Sequence, residues 1–93
     1  MISIVIPVYN SEKTLEPLIS QINEIFFQIK EEYEIILIDD LSNDNSWQIL
    51  MKIKKSNNIK NIKIIRLLKN YGQHNAILCG LTHSKGDIVI TMD

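Results

Sequence analysis

The sequence predicts an α/β fold, a Rossmann-like β-α-β-α-β-α-β parallel sheet, and three observations carry that expectation. Four short runs of isoleucine, leucine and valine are separated by segments with apolar residues spaced three and four apart. Connections of helix length between strands are crossovers, which set neighbouring strands parallel. Each run also gives way to polar residues at its C-terminal end: Tyr9 and Asn10, Asp39 and Asp40, Lys69 and Asn70, and Asp93. In an open parallel sheet those ends share one edge, and ligands bind there, where strand order reverses.

The first strand covers residues 3–8 and should finish near Pro7, because proline cannot donate to the ladder. From Leu15 the residues Leu18, Ile19, Ile22, Ile25, Phe26 and Ile29 form one helical face. Thr14 is the expected N-cap, with Glu16 and Pro17 in the first turn, where an acid is favoured and a missing N–H costs little. Residues 34–40 read as a central strand covered on both faces. The segment 41–46 is dense in Ser, Asn and Asp, the residues of turns and caps.

A second helix is expected over 47–55, with Ile49, Leu50 and Ile53 inward, then a connection over 57–61 and a third strand over 62–67. A polar loop over 70–75 contains Gly72 and leads into a helix over 75–84. Lys85 and Gly86 suit a helix C-cap, Asp87 opens the fourth strand, and residues 88–92 read as buried. Trp47 and Cys79 should pack on the core, His83 should lie on the surface, and Lys52, Lys54, Lys55, Lys60 and Lys63 should form a solvated face.

Ninety-three residues allow a single domain. The net charge of −1 gives no electrostatic reason to expect nucleic acid or an anionic membrane as partner. One cysteine excludes an internal disulfide and fits a cytoplasmic location. No apolar stretch reaches the roughly 20 residues that cross a bilayer. Neither a G-x-G-x-x-G dinucleotide fingerprint nor a P-loop occurs, which argues against oxidoreductase and nucleoside triphosphatase functions.

The chemistry-bearing residues therefore lie at the strand ends. Asp39 and Asp40 alternate faces, so each needs its own polar partner; an acid there either caps the turn or accepts from a ribose hydroxyl or base N–H. Tyr9 either packs on the helix or stacks on a nucleobase. Gly72, Gln73, His74 and Asn75 lie at a helix start, where free N–H groups favour an anion. A divalent cation such as Mg²⁺ or Mn²⁺ would take Asp93 as a hard oxygen ligand with a second acid beyond it.

Four segments in order, Ser3-Ile-Val-Ile-Pro-Val-Tyr-Asn10, Ile-Asp39-Asp40-Leu-Ser42-Asn-Asp44, Asn70-Tyr-Gly72-Gln-His-Asn-Ala76 and Gly86-Asp-Ile-Val-Ile-Thr-Met-Asp93, resemble the amino-terminal half of a family-2 glycosyltransferase. The resemblance implies a truncated GT-A fold, with residues 1–93 as the nucleotide-sugar-binding half and the acceptor half absent. It implies a nucleotide-binding set of Pro7, Tyr9, Asn10, Glu12, Asp39, Asp40, Gly72 and Gln73, in which Pro7, Tyr9 and Asp40 frame the base. Asp93 would be the first acid of a D-x-D motif holding Mg²⁺ or Mn²⁺, and the catalytic base would lie beyond residue 93.

The implied reaction is metal-dependent inverting transfer of a sugar from a UDP- or GDP-sugar. The loop 70–76 is similar to that of enzymes acting on polyprenyl phosphate, of the dolichyl-phosphate-mannose-synthase kind, which implies a full-length protein attached to the cytoplasmic face of the membrane. The 93-residue piece is expected to be inactive alone. Two departures stand out: Ser11 precedes Glu12 where relatives have an acid, and Leu41 stands where glycine is common. Two other readings remain: a receiver-like signalling or binding module, disfavoured by Pro7, Tyr9 and Asn10 at the end of the first strand, and a fragment that self-associates through its open sheet edge.

Overall fold

A computed structural model describes residues 1–56 and 61–92. Four strands alternate with three helices: β1 (Ile2–Val8), α1 (Leu15–Ile29), β2 (Tyr33–Asp39), α2 (Ser46–Lys55), β3 (Ile62–Arg66), α3 (Gln73–His83) and β4 (Ile88–Thr91). The strands are all parallel, in the order β3-β2-β1-β4. The chain steps outward from β1 to β3, then crosses back over β1 to β4. Reversing direction moves the crossover helix to the other face when handedness is kept. Accordingly α1 and α2 cover one face and α3 packs on β1 and β2 from the other.

The side-chain alternation of β2 explains its continuous apolar run. Ile35 and Leu37 join Ile4, Ile6, Leu15, Ile19, Ile22, Phe26 and Leu50 in the larger core, whereas Ile36 and Ile38 meet Val5 and Ala76 beneath α3. Trp47 packs against the first cluster and Cys79 against the second, as expected. The Phe26 and Tyr33 rings stack with centroids 4.7 Å apart, and the Tyr33 hydroxyl donates to Asn23 Oδ1, which docks α1 on β2.

Pro7 lies inside β1, opposite Ile38, rather than at its end. Odd residues of β1 direct their backbone groups toward β4, as the bond from Met92 N–H to the Val5 carbonyl shows. The N–H that Pro7 lacks therefore faces β4, and the pairing with β4 ends at Val5 while that with β2 continues to Val8. Among the described residues, β1 is thus paired only with β2 beyond Val5, toward the C-terminal edge of the sheet.

Several local expectations are corrected. β4, expected to be buried, is an edge strand exposed along its length, with Ile88 at 59%, because among the described residues it pairs only with β1 and α3 packs elsewhere. Thr14 occupies the N-cap position of α1 without a side-chain cap, its hydroxyl donating to the Ser11 carbonyl instead. The third helix begins at Gln73, two residues early. Lys63 is only partly solvated: its Nζ lies 3.2 Å from Glu34 Oε1 and donates to the His83 carbonyl. Most of the expected connection 57–61, Lys60 and Asp93 lie outside the described residues.

Gly86 is not a helix cap, since Ser84 ends α3 in an extended conformation. Its role is close approach: a Cβ there would sit 2.5 Å from Ser3 Oγ, 2.7 Å from Ser3 N and 2.8 Å from the Met1 carbonyl oxygen. Two of those three are backbone atoms, in β1 and in the residue just before it. The variant Gly86→Ala is expected to lose about 1–2 kcal/mol through forced displacement of β4, and urea denaturation checks it. Wild-type stability in that variant would contradict the packing.

Candidate functional site

The loop after β1 and the loop after β2 are sewn together by side chains that accept backbone N–H groups. Asn10 adopts a left-handed conformation at φ 49°, which asparagine tolerates better than most residues. Its N–H donates to Ser42 Oγ at 2.9 Å, and its Oδ1 accepts from Asn43 N–H at 2.8 Å. Ser11 N–H donates to Ser46 Oγ at 2.8 Å, and Glu12 N–H to Asp44 Oδ2 at 3.2 Å. The polar segment 42–46 therefore caps a loop more than thirty residues away in sequence.

Asp44 also accepts the Ser46 N–H at 2.9 Å. Burial works to raise its carboxyl, but the Ser46 hydroxyl and N–H, with the Glu12 N–H, outweigh that and hold it below its ordinary value of 3.8. Leu41, where glycine was noted as common, has φ 55°. The position demands a left-handed backbone, which leucine adopts at a cost of about 1–2 kcal/mol.

The paired aspartates divide their work by facing opposite ways. Asp39 has no exposed surface. Its Oδ1 accepts the Ser42 hydroxyl, the Ser42 N–H lies at 3.3 Å, and Arg66 Nε stands 3.4 Å from Oδ2. Both Asp39 oxygens are engaged by groups of the protein itself. Asp40, nearly as buried, accepts Tyr71 N–H on Oδ1 at 2.8 Å and Gly72 N–H on Oδ2 at 2.9 Å. It fixes the loop after β3 as Ser42 fixes the loop after β1.

Between those loops lies a cleft of about 350 Å³ at the C-terminal edge of the sheet. Of the residues expected at a ligand site, Pro7, Tyr9, Asp40, Gly72 and Gln73 line it, joined by Val8, Ser11 and Asn70. Asn10, Glu12 and Asp39 do not, and act from behind it. Tyr9 is 46% exposed, so its ring is available as a platform. Gly72 is the N-cap of α3 at φ 92° and ψ 163°, a conformation open essentially to glycine alone. The N-cap of that helix makes no side-chain cap bond, and the helix start lies beside the cleft, an end whose polarity favours an anion.

Among the described residues no three His, Cys, Asp or Glu side chains are grouped to hold a metal. They do not form a metal site by themselves, and Asp93 stands outside them. Among the described residues no helix is long and apolar enough to cross a membrane. Ser42, Ser46, Arg66 and Tyr71 were not singled out as site residues from the sequence. The density of Ser, Asn and Asp over 42–46 was the available signal, but it does not say which N–H groups they cap.

Solved structures share this fold. The S. aureus TarS structure spanning residues 1–349 superposes with a TM-score of 0.83 at 30% identity, over 99% of this chain and 26% of that one. The same protein has been solved in complex with UDP-GlcNAc, again at 30% identity and a TM-score of 0.83. The mannosyltransferase PcManGT from Pyrobaculum calidifontis, in complex with GDP-Man and Mn²⁺, shares the fold at 19% identity and a TM-score of 0.77, over 95% of this chain and 25% of that one. The chain thus spans about a quarter of the length of these structures. The four-stranded parallel sheet matches the GT-A fold of TarS. The family model described as glycosyl transferase family 2 matches residues 3–93, and the chain belongs to that family.

Proposed function

We propose that this chain is the donor-binding part of a glycosyltransferase that takes a sugar from a nucleoside diphosphate with inversion at the anomeric carbon. The observation that carries the reading is the exposed Tyr9 ring in a cleft bounded by Asp40 and the uncapped start of α3. Tyr9 stacks on the base and Pro7 flanks it. Asp40, a carboxylate with lone pairs beyond those used by Tyr71 and Gly72, accepts from the base edge. The diphosphate lies toward the N–H groups of α3.

A bound Mg²⁺ or Mn²⁺ would neutralise the leaving diphosphate, with Asp93 as one ligand. The loop 70–76 favours polyprenyl phosphate as acceptor. Such an acceptor is already anionic, so it needs no proton removal of the kind a hydroxyl requires. The exposed edge of β4 supports self-association of this chain, and sedimentation showing only monomer at high concentration would exclude it.

Titration with UDP-GlcNAc and GDP-mannose, each with Mn²⁺, tests the donor reading. Tyr9→Ala is expected to weaken binding by about 2 kcal/mol, the scale of one base stacked on an aromatic ring. Equal affinity in wild type and variant, or no binding of either nucleotide sugar by wild type, would overturn it.

A further inference from the structure

We propose that Arg66 is a positioning residue for the cleft, acting through Asp39 and Ser42 on the backbone that carries Tyr9. Its consequence for a ligand rests on the donor reading above; the relay itself does not. Arg66 ends β3, two strands from β1, and does not line the cleft. Any influence it has on a bound nucleotide must pass through other residues.

The relay has a defined direction. Arg66 Nε stands 3.4 Å from Asp39 Oδ2 and pairs with a carboxylate, which only accepts hydrogen bonds. The Ser42 hydroxyl therefore directs its proton to Asp39 Oδ1. That orientation leaves the Ser42 lone pairs to accept the Asn10 N–H at 2.9 Å. Asn10 is held in its left-handed turn by this bond, and Tyr9 is its immediate neighbour. Without Arg66 the Asp39 carboxylate loses its ion-pair partner and is less firmly aimed at the Ser42 hydroxyl.

Arg66 is itself aimed. Its guanidinium lies over the Trp47 ring, 5.6 Å from the centroid, and Trp47 packs on the core from α2. The relay thus joins β3, α2, the end of β2 and the loop after β1. A role confined to stability would spread its effect over the sheet, whereas this one concentrates it at Asn10 and Tyr9.

The test uses the full 93-residue chain, amide hydrogen exchange by NMR, and titration with UDP and with GDP. Arg66→Met and Ser42→Ala are expected to speed Asn10 amide exchange about tenfold, the scale of one lost hydrogen bond. They are expected to raise both dissociation constants several-fold, and Ser42→Thr to restore both readouts. Ser3→Ala, at the opposite sheet edge, provides destabilisation without either change.

Unchanged Asn10 exchange in Arg66→Met and Ser42→Ala would overturn the relay. Faster exchange with unchanged dissociation constants would overturn the positioning role. Faster exchange in a protein whose wild type binds neither nucleotide would uphold the relay and overturn the donor reading instead. Should Arg66→Met fail to fold, Arg66→Lys, which keeps the charge and loses the Nε–H, is expected to lie between wild type and Ser42→Ala.

Discussion

Replacing Asp40 with asparagine is expected to release the loop after β3 and to cost on the order of 3 kcal/mol of stability. Two backbone donors, Tyr71 N–H and Gly72 N–H, converge on the two oxygens of one nearly buried carboxylate. An asparagine has one oxygen to accept with; its NH₂ group would face the second donor, leaving both without a partner. The charge that strengthens the surviving bond is also lost. Because Gly72 begins α3, the start of that helix loosens with the loop, and the cleft loses one wall. Urea denaturation checks the cost, and exchange of the Tyr71 and Gly72 amides locates it. Stability within 0.5 kcal/mol of wild type, with both amides still protected, would show that Asp40 does not hold the loop.

Glu34→Ala is expected to cost a similar amount, on the order of 3 kcal/mol, at the other end of the sheet. The almost fully buried Glu34 carboxylate accepts from the Ser3 hydroxyl and, at 2.7 Å, from Lys85 N–H, while Lys63 lies at 3.2 Å. Ser3 in turn accepts the Gly86 N–H at 2.8 Å, so this one carboxylate ties β1, β2 and β3 to the turn that starts β4. Burial alone would raise its pKa. The Ser3 hydroxyl, the Lys85 N–H and Lys63 outweigh burial and lower it below the ordinary 4.5.

A folded-state pKa below the unfolded one means that the unfolded chain binds the proton more readily. The stability due to Glu34 is therefore fully present above about pH 4.5 and is lost as pH falls through its lower folded value. Asp44 adds loss of the same sign from its own ordinary value of 3.8 downward. Glu34→Gln should be less stable than wild type at neutral pH, and the gap should narrow on acidification below pH 4.5. A gap independent of pH would show that the charge of Glu34 is not what stabilises this end.

The alternation of strands and helices, the burial of β2 on both faces and the gathering of polar residues at one edge were legible in the sequence. Each follows from local facts: apolar spacing, crossover length and the alternation of side chains along a strand. The same alternation said that Asp39 and Asp40 face opposite ways. It did not say that one would meet Arg66 and Ser42 while the other held Tyr71 and Gly72. Those partners come from separate loops and strands.

Sequence by itself thus determined the class of fold, the sheet edge at which the polar residues gather and the residue types available there. Tertiary structure decided which carboxylate stands at the cleft and which behind it, why Gly86 approaches Ser3, and why Lys63 pairs with Glu34. It also decided that β4 is an exposed edge, since its apolar residues look the same in sequence as those of the buried β2. The physical reason is common to all of these. Periodicity reports which face of an element is apolar, whereas a buried donor or acceptor takes whichever partner the packed backbone brings within about 3 Å.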